Sequence, residues 1–331
     1  MECRLGPLSD SPQTSSEFRL PTPLALIHED SPGRLAGRLR SAMAAARPEV
    51  VLLYGDLDVT LLALGVANRL GVPTVHVESG YRTGDIADRE EFTRVAVSHG
   101  VAHRVVFTKS MEANLRAEGI EPHTISHFGN PVVHALADRL AESQGYAPRP
   151  PDGPERGLVL FHREETVLDR NRLTRVIDHI EALSARFALT VVLFRRTDQQ
   201  LRALGIRARL DRVAATAPTV RLTPTLRHAE YVGELNRASF VLTDSSTVQD
   251  ECAFLRIPCF VLRRTSPRAA DFPPTTMLVN HCEPAELAAL VTAAVRNEPP
   301  APPDVERLGP AYDASFADLL HRLTHPQQVA V

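Results

Sequence analysis

The residues able to do chemistry in this chain gather where apolar runs stop. The run GVPTVHVESG, residues 71–80, closes on His76 and Glu78, two positions apart. A strand alternates with a period of two, so both side chains point to one face. A second run, PEVVLLYGD at 48–56, closes on Gly55 and Asp56. If these two strands are neighbours, the carboxylates of Asp56 and Glu78 converge. Like charges brought together push one of the pair upward in pKa, which makes a carboxylate a usable acid or base near neutral pH. REEFTR at 89–94 adds Glu90 and Glu91 at a helix start. Either of them could instead complement the helix dipole. Asp56 could cap a helix, and His76 could serve only to orient its neighbours.

Two further stretches carry polar groups of a different kind. TDSSTVQDE, residues 243–251, ends a strand at Asp244 and opens a helix on hydroxyls. Ser246 and Gln249 have the S-x-x-Q spacing of a capping box. The free backbone N–H groups of a helix start, with the dipole behind them, suit an anion. Ser245, Ser246 and Thr247 are then donors to a phosphate, and Glu251, one turn in, is placed for sugar hydroxyls. Arg263 and Arg268, after PCFVLR, supply positive charge. FHREET at 161–166 places His162 at a strand end with Arg163 beside it. The plain alternatives are N-capping for the hydroxyls, a structural strand-end histidine, and solvated arginines.

The elements that must position these groups alternate along the chain. LALIH at 24–28 reads as a short strand and PGRLAGRLRSAMAAAR as a helix. The strand of Asp56, the helix VTLLALGVANRLG, the strand of Glu78 and the helix from Arg89 follow. Next come the strand HRVVFT, a helix capped by Ser110, and TISHFGNP. Such alternation is the signature of a doubly wound parallel sheet. It pauses at the proline-rich YAPRPPDGPERG, 146–157, and restarts with GLVLFH. The expected organisation is a Rossmann-like domain over 1–148 carrying the carboxylates, and a second one, phosphate-binding, over 149–309. The second proline-rich piece, NEPPAPPDVERLGP, is expected to return a last helix over 310–331 to the first domain. In open α/β sheets ligands bind beyond the carboxyl ends of strands. The two domains are therefore expected to face each other across a cleft. Residues 1 to about 22 read as polar and mobile.

Composition narrows the function classes. The chain has 331 residues, 44% hydrophobic and 23% charged, with formal net charge −3. That is ordinary for a soluble globular protein. No Lys/Arg stripe with interleaved aromatics points to nucleic acid. Lys109 is the only lysine, and a GC-rich genome accounts for the arginine bias. Cys3, Cys252, Cys259 and Cys282 form no C-x-x-C pair, so neither a metal site nor a redox motif is expected. The first sixteen residues hold no apolar h-region, and no run reaches the length of a membrane span. The expectation is a cytoplasmic protein without cofactor, binding a small phosphorylated sugar, and pairing as a homodimer over its exposed sheet edge.

Taken in order, these residues resemble the UDP-N-acetylglucosamine 2-epimerase family. The resemblance rests on GD at 55–56, HVESGYRTGD at 76–85, REEFTR at 89–94 and GNPVVHAL at 129–136. HREET at 162–166, DSSTVQDE at 244–251 and VLRRTSPR at 261–268 continue it. It covers roughly residues 45 to 290, and HVE-G-RTGD is its most specific part. It implies a GT-B-like α/β fold of two Rossmann-like domains. It implies an isomerase that inverts a carbinol carbon, C2, by removing its proton and expelling UDP, then adding UDP back; hydrolysing members release the sugar. By motif, Asp56, Glu78, Glu90 and His162 become catalytic positions, with Glu91 as the fallback base. Arg82, Thr83 and Arg94 would shape the pocket, with His76 beside them, while Ser245, Ser246 and Glu251 would hold phosphate and ribose.

The departures fall mainly on phosphate and nucleotide binding. The opening strand with its GTRPE turn is missing, so the N-terminal domain reads as abbreviated. The DSGG segment has become DSST, TERPE reads TSPRAA, and a histidine-proline motif reads RRTD. The glycine-rich turn before the last helix reads AYDASF. The acid–base set stays. The expected function is therefore epimerisation of a phosphorylated sugar by deprotonation and reprotonation. The substrate is either a nucleotide sugar or a simple hexose or ketohexose phosphate, a ketose phosphate being inverted at C3 in a specialised biosynthetic pathway. The rival readings are a hydrolysing or glycosyl-transferring enzyme and a non-catalytic sugar-phosphate binder.

Overall fold

The computed structural model describes residues 4–5, 26–27, 31–142, 155–297, 303–308 and 312–324. The chain divides into two compact units, one of residues 1–130 with 309–331, the other of residues 131–308. Both are α/β with parallel sheets, as the alternation predicted. The mobile segment expected over 1–22 lies outside the described residues except for Arg4–Leu5 (β1), which pairs in parallel with Leu26–Ile27 (β2). Most of the linker expected at 146–157 also lies outside them. Among the described residues no helix is long and apolar enough to cross a membrane.

The first unit is built on four parallel strands in chain order: Val51–Tyr54 (β3), Thr74–Val77 (β4), His103–Val106 (β5) and Ile125–His127 (β6). The strands carrying Asp56 and Glu78 are thus hydrogen-bonded neighbours, with Leu53 opposite His76 and Tyr54 opposite Val77. Both faces of β4 are buried, which explains its near-continuous apolar sequence. Val75 and Val77 pack with Val105, Met111, Leu115 and Phe128 on one face. Leu53 packs with Ala63, Leu64, Ala67 and Val97 on the other. The last helix, Tyr312–Thr324, returns to this unit through Leu319, buried in the Val75 cluster. Phe316 meets Phe128 edge-on at 6.0 Å. That helix starts within AYDASF, where the family would place a glycine-rich turn.

The second unit holds six parallel strands in the order β12-β11-β10-β7-β8-β9. They are Arg156–Leu160 (β7), Ala188–Leu193 (β8), Val220–Pro224 (β9), Phe240–Thr243 (β10), Cys259–Val261 (β11) and Thr276–Leu278 (β12). The chain winds outward from β7 in one direction, then returns to place β10 on its other side. The β7/β10 boundary is therefore a topological switch point, the place where such sheets bind ligands. Gly157 permits this pairing: a Cβ there would lie 2.3 Å from the Phe240 ring and 2.7 Å from Leu189.

Several elements differ from expectation. The first unit ends at Asn130 instead of 148, because helix Pro131–Glu142 buries Val133, Leu136 and Leu140 against Leu158, Leu160 and Val248 of the second unit. Helices Arg195–Ala203 and Arg207–Thr216 were not anticipated. Thr108 caps the helix Lys109–Ala117 in place of Ser110, its side chain accepting from the Met111 N–H. The capping box at Ser246 does not form: Gln249 instead bonds the Ser245 carbonyl at 3.1 Å and accepts from the Ser266 hydroxyl at 2.6 Å.

Candidate active site

In the first unit the candidate groups collect beyond β3 and β4. After Tyr54 the chain turns at Gly55, with φ +73°, and presents Asp56. After Val77 it turns at Glu78 itself, with φ +71°. A non-glycine residue in that region costs about 1–2 kcal/mol, so the surrounding structure must impose it. The Glu78 Oε2 atom lies 3.7 Å from where a Cβ on Gly55 would sit, so its carboxylate leans toward the Asp56 turn. The helix Arg89–Gly100 supplies the third component. Its N-cap Asp88 accepts from the Glu90 N–H. Arg94, one turn in and 3% exposed, contacts four carboxylates. It pairs with Asp56, with Glu91 at 3.0 Å, Asp88 at 3.6 Å and Glu90 at 3.8 Å.

This geometry separates residues that the sequence could not. Glu91 is 2% exposed and its Oε1 accepts from the backbone N–H groups of Thr83 and Gly84, both at 3.0 Å. It fastens the RTGD turn to the helix and is not available as a base. Glu90, its side chain 27% exposed and 3.8 Å from Arg94, is the more accessible of the two. Arg94 is buried in the same lattice, so it arranges the carboxylates instead of facing the pocket. Arg82 is also spent internally: it donates to both oxygens of Glu118 at 2.6 and 2.8 Å, to the Tyr81 carbonyl and to Ser98. Thr83 is half-buried, and its hydroxyl accepts from the Asp85 N–H. His76 is fully buried and cannot touch a ligand. Burial pushes its pKa down to about 4, so the ring is neutral at neutral pH.

In the second unit the polar groups meet at the switch point between β7 and β10. Asp244, fully buried, accepts from the backbone N–H groups of His162 and Arg163 at 3.0 Å. His162 packs against Phe194 with the rings tilted by 57° and centroids 4.8 Å apart, and keeps 39% of its side chain exposed. The helix Ser246–Leu255 opens here with no side chain capping its start. Arg163 and Arg263 both donate to the Ser246 hydroxyl, at 3.1 and 3.2 Å. Ser245 is buried and Thr247 exposed. Two guanidiniums converging on an uncapped helix start make an anion site by charge and by dipole. Arg263 also pairs with Glu165 at 2.9 Å. Arg268 pairs with Asp250 at 3.2 Å.

Glu251 behaves otherwise than expected. It is 4% exposed, and Tyr231 donates a short hydrogen bond to its Oε2. Burial pushes its pKa up to about 8, against the opposing pull of that bond. One of its two acceptor atoms is thus already committed before any sugar hydroxyl arrives. Tyr231 and Phe194 were missed because tertiary contact alone brings them to Glu251 and His162, whereas Asp88 is a local N-cap, a signal that the sequence did carry. Among the described residues no group of His, Cys, Asp or Glu side chains could hold a metal ion.

The UDP-N-acetylglucosamine 2-epimerase family model matches residues 17–308. The chain belongs to this family. It is an isomerase family, of carbohydrate epimerases. A UDP-N-acetylglucosamine 2-epimerase from Methanococcus maripaludis is 25% identical over 261 residues, spanning 76% of this chain and 69% of that protein. A UDP-2,3-diacetamido-2,3-dideoxy-D-glucuronate 2-epimerase from Pseudomonas aeruginosa is 28% identical over 251 residues, 72% of this chain and 66% of that protein. The crystal structure of Methanocaldococcus jannaschii UDP-GlcNAc 2-epimerase in complex with UDP-GlcNAc and UDP superposes with a TM-score of 0.79. Its sequence is 23% identical, and the match covers 94% of this chain and 87% of that one. That likeness carries the GT-B-like fold of two Rossmann-like domains.

Proposed function

We propose that the protein interconverts the C2 epimers of a UDP-linked 2-acetamido sugar, with UDP-N-acetylglucosamine the first substrate to test. The observation that carries this reading is the sorting of the carboxylates in the first unit. Glu91 and Arg94 are buried and hold the site together, whereas Glu78 and Glu90 are partly exposed, as is Asp56, which pairs with Arg94. A base takes the C2 proton as the C1–O bond to UDP breaks, leaving a C1–C2 double bond. UDP then adds back to C1 as a proton is delivered to the opposite face of C2. Glu78 and Glu90 are the proposed proton carriers, and two groups are needed because the proton leaves and returns on opposite faces.

In the second unit Ser246, Arg163 and Arg263 are the proposed holders of the diphosphate, with Ser245 and Thr247 at the same helix start. His162, exposed beside them, is the proposed acid assisting departure of UDP. The relatives named above act, by their names, on UDP-linked sugars. This supports a nucleotide sugar over the simple hexose or ketohexose phosphates that the altered DSST segment left open. The protein is further proposed to work in the cytoplasm and as a homodimer.

The test is NMR in D₂O with UDP-N-acetylglucosamine. Loss of the C2 proton signal with appearance of the manno epimer is expected. Demonstrated UDP-N-acetylglucosamine binding with no exchange at C2 sinks the reading for this sugar. The diacetamido-glucuronate nucleotide is the second substrate to assay.

A further inference from the structure

We propose that His76 is a positioning residue that fixes the Asp56 turn against the Glu78 turn, and so sets the spacing of the two carboxylates. This rests on the proton-transfer reading of that site. Both ring nitrogens are engaged. Nε2 lies 3.0 Å from the carbonyl oxygen of Gly55, the residue before Asp56. Nδ1 lies 3.1 Å from the hydroxyl of Ser79, the residue after Glu78. A carbonyl can only accept, so Nε2 carries the proton and Nδ1 accepts from Ser79. One ring thus links the immediate neighbours of both carboxylates.

Each turn hangs on the last hydrogen bond of its strand's ladder. Gly55 donates to the Val77 carbonyl at a long 3.4 Å, and Ser79 donates to the Val105 carbonyl at 3.0 Å. Between these anchors lie two positive φ values, at Gly55 and at Glu78. The ring opposes that strain from the interior side, where Ser79 and His76 are both fully buried. Leu53 stands opposite His76 in the strand register and belongs to the apolar layer of the flanking helices. An aliphatic residue at 76 would fit the pattern of the layer. The imidazole instead links this apolar layer to both turns. Because burial keeps the ring neutral, it adds no charge beside the carboxylates, and its contribution is geometric.

The test compares full-length wild type with His76→Leu, His76→Gln and Ser79→Ala, using UDP-N-acetylglucosamine turnover, UDP affinity by calorimetry and ¹⁵N NMR of the histidine rings. Misplacing a reacting group by about 1 Å costs on the order of 100-fold in rate. His76→Leu should therefore lose about 100-fold in kcat with KM and UDP affinity changed by less than about threefold. His76→Gln, whose side-chain amide can still donate to Gly55, should recover about tenfold of that, and Ser79→Ala should lose about fivefold in kcat with KM changed by less than about threefold. The wild-type ring should show the Nε2–H tautomer. Equal loss in the Leu and Gln variants overturns the proposal. So does loss appearing in KM alone, an Nδ1–H ring, or Ser79→Ala with wild-type kcat; the last two need no His76 variant to fold. An inactive wild type sinks the parent reading and this one together, whereas an active wild type with indifferent variants sinks only this one.

Discussion

The ligand-facing ends of the two sheets hold their polar groups by opposite means. In the first unit one buried arginine gathers four carboxylates, and a buried neutral histidine links the turns. In the second a buried carboxylate, Asp244, fixes two backbone amides, and two arginines converge on a serine hydroxyl. The first arrangement offers anionic groups with different degrees of engagement, which suits moving protons. The second offers cationic and dipolar groups, which suits holding an anion. The comparison predicts that substitutions at the two ends fail differently.

The largest effect is expected at Glu78. Glu78→Gln should reduce C2 exchange at least about 1,000-fold, near the upper end for general acid–base groups, while UDP affinity measured by calorimetry stays within about threefold. Arg263→Gln should do the reverse. Loss of one guanidinium from the anion site should weaken UDP binding by roughly 10- to 100-fold, the worth of one or two charge-assisted hydrogen bonds, with exchange partly restored at saturating substrate. If Glu78→Gln abolishes UDP binding and Arg263→Gln abolishes exchange at saturation, the division of labour between the two ends is wrong.

Adjacent Glu90 and Glu91 sharpen the contrast inside the first unit. Glu91→Gln breaks a buried ion pair and should cost about 3 kcal/mol in urea unfolding, since Arg94 is left less compensated. Glu90→Gln touches a half-exposed group and should change stability by less than about 0.5 kcal/mol, while exchange falls about 100-fold. The reverse pattern would assign the base to Glu91.

These two glutamates also show where reading the sequence runs out. The alternation of apolar runs and helical spacings identified both sheets, and the strands that precede Asp56 and Glu78 pair side by side; a strand's direction and period are local properties. Which of Glu90 and Glu91 is the more accessible depends on about 100° of helix phase, and that phase is set by Asp88 capping and by the Thr83 and Gly84 amides. Arg82, placed in the pocket by motif, is claimed by Glu118, 36 residues away. The capping box at Ser246 fails for the same reason: Gln249 finds a better partner in Ser266, across from β11. Helices Arg195–Ala203 and Arg207–Thr216 were overlooked because their charged residues hide short apolar faces, Leu201 in one and Leu210 with Val213 in the other.

The least dramatic prediction concerns pH, and it sets the buried histidines of the two units side by side. Burial pushes His76 and His103 in the first unit, and His179 in the second, from 6.5 down to about 4. In each case the unfolded chain binds a proton that the folded chain refuses between these values. Stability is therefore complete above about pH 6.5 and falls as pH drops toward 4, each ring contributing at most about 3 kcal/mol to the loss. Urea unfolding from pH 7 to 4.5 should show this slope. The three rings are not equivalent, however. His76 and His103 have hydrogen-bond partners, in Gly55 and Ser79 and in Ser126. Among the described residues neither nitrogen of His179 has one, although the residue, in the helix Arg170–Ser184, is 1% exposed. A buried polar group without partners is a net cost. His179→Phe should thus leave stability at pH 7 within about 1 kcal/mol of wild type or raise it, and remove about one proton from the acid slope. A large loss at pH 7 would mean that the His179 ring contributes packing the apolar replacement cannot reproduce, and an unchanged acid slope would centre acid sensitivity on the first unit.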